Sequence, residues 1–188
     1  GGRISAVGAA GVTVVPPGAT VSDLSNQTVM PGLIDTHTHV TGDPTLPPYY
    51  GYGISVPREA LMGARFGRET LLSGVTTIRN VGASGYSDIA LRDAINAGDV
   101  IGPRILASGP AIGITGGHCD GNMLAPEYGE HAEGVADGPD AVRAMVRTQA
   151  EKNGHNIEVI EAMIDKTRAL KIDGEVLNKE GNILTLTD

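Results

Sequence analysis

Three short apolar segments are separated by stretches with helical spacing, and that alternation limits the chain to a narrow class of folds. Leu33-Ile34-Asp35-Thr36, Val75-Thr76-Thr77-Ile78 and Arg104-Ile105-Leu106-Ala107-Ser108 read as buried strands. After the first, from Arg58 onward, Ala60, Leu61, Ala64, Leu71 and Leu72 recur on one helical face, with Gly74 as the stop. Ser87 to Ala97 forms a second amphipathic pattern, with Ser87 as N-cap and Gly98 behind it. Pro139 to Glu151 opens a third helix, its proline in the first turn. Strand, helix, strand, helix, strand, helix is the order of βα units around a parallel sheet, so the fold class is α/β.

The ends differ from this centre. Arg3 to Val7 and Val12 to Val15 read as short strands across a glycine-rich turn, and Thr28 to Met30 as a third. Residues 157–170 read as an amphipathic helix with Ile157, Ile160, Met163 and Ile164 inward. Asp173-Gly174 and Glu180-Gly181 are then expected to turn two hairpins, the last strand reaching Leu186. The expected divisions are 1–30, 31–152 and 153–188. Asp43 to Pro57 has too little periodicity for regular structure, and Gly109 to Gly138 reads as a long, polar, glycine-rich loop, of a length that is usually functional or disordered.

Charge and cysteine content exclude several roles. A net charge of −8, with no Lys/Arg cluster, argues against nucleic-acid and anionic-membrane partners. No apolar run approaches the ~18 residues that span a bilayer. The single cysteine, Cys119, cannot close an intrachain disulfide, which points to the cytoplasm. The chain opens Gly1-Gly2-Arg3 rather than with methionine, so a removed leader, and with it a secreted or periplasmic location, stays open.

Chemistry concentrates in Asp35-Thr36-His37-Thr38-His39, directly after the first strand. Alternate residues of a strand face one side, so His37 and His39 point together. Two converging imidazoles suit a borderline-soft cation such as zinc. The segment Val29-Met30-Pro31-Gly32-Leu33-Ile34-Asp35-Thr36-His37-Thr38-His39 resembles the first barrel strand of the metal-dependent amidohydrolase superfamily. Ser73 to Asn80, Gly102-Pro103-Arg104-Ile105 and Ile114-Thr115-Gly116-Gly117-His118-Cys119-Asp120 match in order. The succession is most similar to the imidazolonepropionase-like branch that contains Xaa-Pro dipeptidases.

That resemblance implies a (β/α)8 TIM-barrel type of fold, with the N- and C-terminal strands joined in a small β-sandwich. It implies one or two divalent metals, zinc foremost, that polarise the scissile carbonyl and convert water to hydroxide. His37 and His39 become metal ligands. His118, Asp120 and Asn122 become the substrate wall. Asp35 and Arg79 support the ligands from behind, Arg79 through Asp35 or another carboxylate. His131 is read as solvated. The implied substrate is a small dipeptide-like or N-acyl-amino-acid molecule, cleaved at a C–N bond.

The superfamily also uses a carboxylated lysine, two later histidines and an aspartate, and no matching segment follows Gln149. At 188 residues the chain is short of the ~250 of a closed barrel, so the barrel is expected to be incomplete. Two readings follow: a metal-dependent hydrolase whose remaining ligands come from elsewhere, or a non-catalytic remnant folded as a partial barrel. Open edges of a parallel sheet invite association, so a homo-oligomer is expected.

Overall fold

The computed structural model describes residues 3–9 and 11–185, in two units, one running to Pro31 and one beginning at Gly32. In the second unit, β1 (Leu33–Thr38), α1 (Val56–Leu72), β2 (Val75–Asn80), α2 (Ser87–Ala97), β3 (Arg104–Ala107) and α3 (Gly138–Asn153) succeed one another. The strands lie in the order β1-β2-β3, all parallel. α1 and α2 each return the chain to the start of the next strand, which a tight turn could not do.

β1 and β2 run two residues beyond the apolar runs that mark them. Thr38 pairs with Asn80 in the ladder, and its hydroxyl donates to the Arg79 carbonyl at 3.2 Å. One face of the sheet carries the core. Val40, Ile78, Leu91 and Ile105 form it, with Ala64, Phe66 and Ile95 packed around. α1 reaches this core closely because Gly63 has no side chain. A Cβ there would stand 2.9 Å from Thr41 Cγ2 and 3.0 Å from Leu91 Cδ2. The other face leaves His37, Arg79 and Leu106 exposed.

Local signals set most boundaries, with some differences from expectation. Gly74, at φ 99°, follows α1 in the left-handed region. Ser87 is not the cap of α2. Tyr86 is, at φ 59°, and the Ser87 hydroxyl instead faces Thr41 Oγ1 at 3.3 Å in the interior. The segment between β1 and α1 is also less irregular than its sequence suggests, since Pro48–Gly53 forms a 3-10 turn.

The tail folds more compactly than the sequence predicts. Helix α4 (Ile157–Ile164) ends at Asp165 rather than near residue 170. The Asp165 carboxylate accepts from the Thr167 N–H and hydroxyl, a local turn that competes with helical hydrogen bonding. Its buried contact is Ala162, packed with Leu170, Leu184, Val159 and Met163, whereas Ile164 is exposed. β4 (Leu170–Ile172) and β5 (Glu175–Asn178) make the expected hairpin. Asp173 and Gly174 both take positive φ there, as a two-residue turn matching strand twist requires.

The second hairpin does not form over 179–185, because those residues bond elsewhere: Gly181 N donates to Lys166 O, and Leu184 N to Ala162 O. Leu186 lies outside the described residues. In the first unit, the described residues form turns and no strand. The strands expected at Arg3–Val7, Val12–Val15 and Thr28–Met30 are therefore absent, and β4 and β5 pair only with each other. The expected β-sandwich is not built among the described residues. A short meander is marginal in water without a face to pack on, and Ile4, Val7 and Val14 are exposed.

Candidate functional site

The site begins where β1 ends. Val40 turns into the core, so His37 and His39, of opposite parity, emerge on the other side and are exposed. Their ring centroids lie 5.7 Å apart at an interplanar angle of 67°. His39 Nδ1 is 3.1 Å from the Gly82 carbonyl oxygen. A carbonyl only accepts, so Nδ1 carries the hydrogen and Nε2 keeps its lone pair for another partner. Gly82 admits this contact, because a Cβ there would lie 3.2 Å from His39 Cε1. A groove of about 460 Å³ opens beside the ring, lined by Thr38, His39, Asp43, Phe66 and Glu69 among others.

The residues read as supports act on the backbone. Asp35 Oδ1 accepts from the His37 N–H at 3.0 Å and so fixes the strand, not the ring. The sequence suggested a pairing of Arg79 with Asp35 or another carboxylate, and among the described residues it makes none. Its Nε donates to the Thr36 carbonyl at 2.7 Å, where the β1–β2 register shifts. That bond ties the second strand to the residue before His37.

Behind the histidines stands a buried polar cluster that sequence reasoning missed. Asn80 and Asp88 are both fully buried. Asn80 Oδ1 accepts from Val40 N at 2.7 Å, and its Nδ2 donates to Gly82 O and to Asp88 Oδ2, each at 3.1 Å. Asp88 Oδ2 also accepts from Gly109 N at 3.1 Å, and Oδ1 from Ile89 N. Two side chains thus hold the segments that follow β1, β2 and β3. An unpartnered buried amide costs on the order of 1–3 kcal/mol, so such a cluster forms only when every member is satisfied. The signal was present: Asn80 shares the inward face of β2 with Ile78.

The segment from Gly109 to Asp137 is organised by two carboxylates. Asp120, only 3% exposed, accepts from Gly116 N, Gly121 N, Ala132 N and His131 Nδ1. These donors, backbone N–H groups first, hold its carboxyl well below the usual carboxylate range. Asp137 accepts from the Thr115 N–H and hydroxyl, which lower its pKa as well. Asp120 was expected on the substrate wall. Its oxygens are instead consumed in folding the loop, and His131, read as solvated, is half-exposed against it.

Asn122, exposed, bonds its own loop as well, Nδ2 donating to Gly117 O at 2.7 Å. His118 stands exposed at the turn. A carboxyl with a depressed folded-state pKa contributes stability above its unfolded value of about 3.9 and loses it as pH falls further. Amide protection factors in residues 113–137, taken relative to intrinsic exchange at each pH, are therefore expected to fall selectively on acidification below about pH 4, and Asp120→Asn to remove most of that acid dependence.

Among the described residues, no third His, Cys, Asp or Glu converges on His37 and His39. The pair itself suits a divalent metal. It offers two imidazoles on one side of the strand, one with a fixed tautomer, and supplies half of a tetrahedral donor set.

The sequence pattern of the amidohydrolase family matches residues 28–175. The chain belongs to the amidohydrolase family. Ochratoxinase from Aspergillus niger is 33% identical over 150 residues, covering 70% of this chain and 30% of the relative. A solved Xaa-Pro dipeptidase with bound methionine superposes at TM-score 0.55 and 36% identity, over 65% of this chain and 31% of that one. A prolidase in complex with N-methylphosphonate-L-proline gives TM-score 0.60 and 33% identity, over 74% and 35%. The chain thus spans about a third of the length of the relatives it matches. The family fold is TIM-barrel-like, and this amidohydrolase chain carries an α/β portion of it: three adjacent parallel strands with their helices.

Proposed function

We propose that this amidohydrolase chain forms the first-strand side of a divalent-metal site for hydrolysis of amide C–N bonds in dipeptide-like or N-acyl-amino-acid substrates. The observation that carries the reading is the His37–His39 pair at the C-terminal end of a parallel strand, with His39 Nδ1 committed to Gly82 O. C-terminal strand ends are where sites gather in TIM-barrel enzymes. His37 and His39 would hold the cation, zinc being one borderline-soft ion that two imidazoles suit. A cation held there would supply Lewis-acid polarisation of the scissile carbonyl and a lowered pKa for water.

The chain's own residues orient the pair. His39 presents Nε2 because Gly82 holds the opposite nitrogen, and Asp35 and Arg79 keep the strand that carries His37 in register. We read His118, exposed on the loop after β3, as a side chain that would meet a substrate carbonyl or carboxylate, the role the family resemblance implies. Relatives whose names specify a dipeptidase, a prolidase and an ochratoxinase support this substrate class.

A second reading is favoured by the absence of a third converging ligand among the described residues: a folded, non-catalytic member that holds a metal weakly. Zinc titration and Xaa-Pro cleavage assays on the purified chain separate the two. Saturable zinc binding, weakened at least about tenfold by His37→Ala or His39→Ala, is expected. Zinc-dependent cleavage alongside it supports the hydrolase, and binding without cleavage supports the second reading. Equal zinc binding by wild type and both variants overturns the site.

A further inference from the structure

We infer that Asn80 and Asp88 are positioning residues for His39, acting through the Gly82 carbonyl. The inference rests on the proposed metal site but concerns residues outside it. Gly82 O receives two donors, Asn80 Nδ2 at 3.1 Å and His39 Nδ1 at 3.1 Å. The Asn80 side chain therefore sets where that oxygen lies, and the oxygen sets the ring.

The same carboxamide holds the next residue after His39 from the other side, since Asn80 Oδ1 accepts from Val40 N at 2.7 Å. His39 is thus fixed at its ring and at its backbone by one buried group. Asn80 cannot rotate its amide without placing an NH2 against the Val40 N–H and an oxygen against Gly82 O and Asp88 Oδ2. Asp88 enforces that orientation. Its Oδ2 accepts from Asn80 and from Gly109 N, and Oδ1 from Ile89 N, so the carboxylate presents only acceptors to the amide. Full burial of both side chains keeps water from substituting for either partner.

A group that merely stabilised the strand ends would not influence which ring nitrogen of His39 carries hydrogen. This arrangement does. With Gly82 O in place, only the Nδ1–H tautomer makes the bond, leaving Nε2 free for a metal. With Gly82 O displaced, the ring gains freedom to place the hydrogen on either nitrogen. Partners of this kind behind a ligand imidazole typically govern about 10–100-fold in metal affinity.

The test uses long-range 1H–15N spectra of the metal-free chain at about pH 8, where imidazole is neutral, and zinc titrations of the same proteins. Wild-type His39 is expected as a single Nδ1–H tautomer. Asn80→Ala should give a mixed tautomer and zinc binding weaker by about 10–100-fold. Asp88→Asn, which keeps the shape but turns an NH2 toward existing donors, should do the same and serves should Asn80→Ala fail to fold. Leu91→Ala, a core truncation that leaves these hydrogen bonds alone, should change neither readout.

An Nε2–H wild-type ring, folded variants that keep the wild-type tautomer, or Leu91→Ala reproducing the effect would each overturn the inference. Absence of zinc binding by the wild type would sink the proposed function alone. The tautomer comparison would still decide the role of Asn80 and Asp88.

Discussion

Ile78→Ala is expected to destabilise the chain by about 2–5 kcal/mol, the range for removing a large aliphatic side chain from a packed interior. Ile78 is completely buried and lies at the centre of β2, between β1 and β3. Its neighbours Val40, Leu91 and Ile105 come from the segment after β1, from α2 and from β3, so one truncation loosens the packing between the sheet and its helices. The strands cannot close over the gap, because Asp35 pairs with Ile78 on one side and Ile105 on the other. At about 2–4 °C per kcal/mol, thermal unfolding should show a lowering of the midpoint on the order of 10 °C. Ile78→Val, which keeps the branch, should cost only about 0.5–1.5 kcal/mol. An alanine variant as stable as the valine one would mean that the sheet is not packed on this residue.

Such core positions were legible in advance because they repeat locally. Val75 to Ile78 and the helical spacing from Ala60 to Leu72 each announce an element from a few neighbours. Gly74 and Gly98 mark the stops by a backbone requirement that other residues meet poorly. Where the reading overshot, a distant or competing partner decided. Within Ile157–Leu170 the apolar spacing outweighed the local Asp165–Thr167 pair, whose hydrogen bonds end the helix. The alternation in Arg3–Val7 does not show whether a partner strand will pair with it, and a strand without one does not form.

The site was legible to the same depth. His37 and His39 follow from the two-residue period of a strand, which depends on no tertiary contact. Asn80 was half legible: a polar side chain two residues after Ile78 must face the same buried layer and must find partners there. Which partners it finds could not be read, since Val40 lies forty residues upstream and Asp88 in the next helix. Asp120 shows the opposite failure. The family resemblance implied a place beside His118 on the substrate wall. Four donors instead enclose its carboxylate, one of them twelve residues further along the chain.

Gly82→Val is expected to weaken zinc binding by about 10–100-fold while costing far less stability than Ile78→Ala. Gly82 does not lie among the residues with positive φ, so a side chain is disfavoured there by space rather than by backbone conformation. A Cβ would stand 3.2 Å from His39 Cε1, 3.3 Å from Nδ1 and 3.4 Å from Ala111 Cβ. Alanine would ask the imidazole to give by a few tenths of an ångström. Valine adds two methyl groups with Ala111 on the other side, so the exposed histidine is the softer neighbour and it moves. Displacement lengthens the Nδ1 contact to Gly82 O and turns Nε2 away from the side His37 shares. A graded loss of zinc affinity, glycine above alanine above valine, with little change in the unfolding midpoint, is the expected pattern. Equal affinity across the three would mean that the His39 ring orientation set by Gly82 does not matter to the metal. The assignment of His39 as a preorganised ligand would then fail.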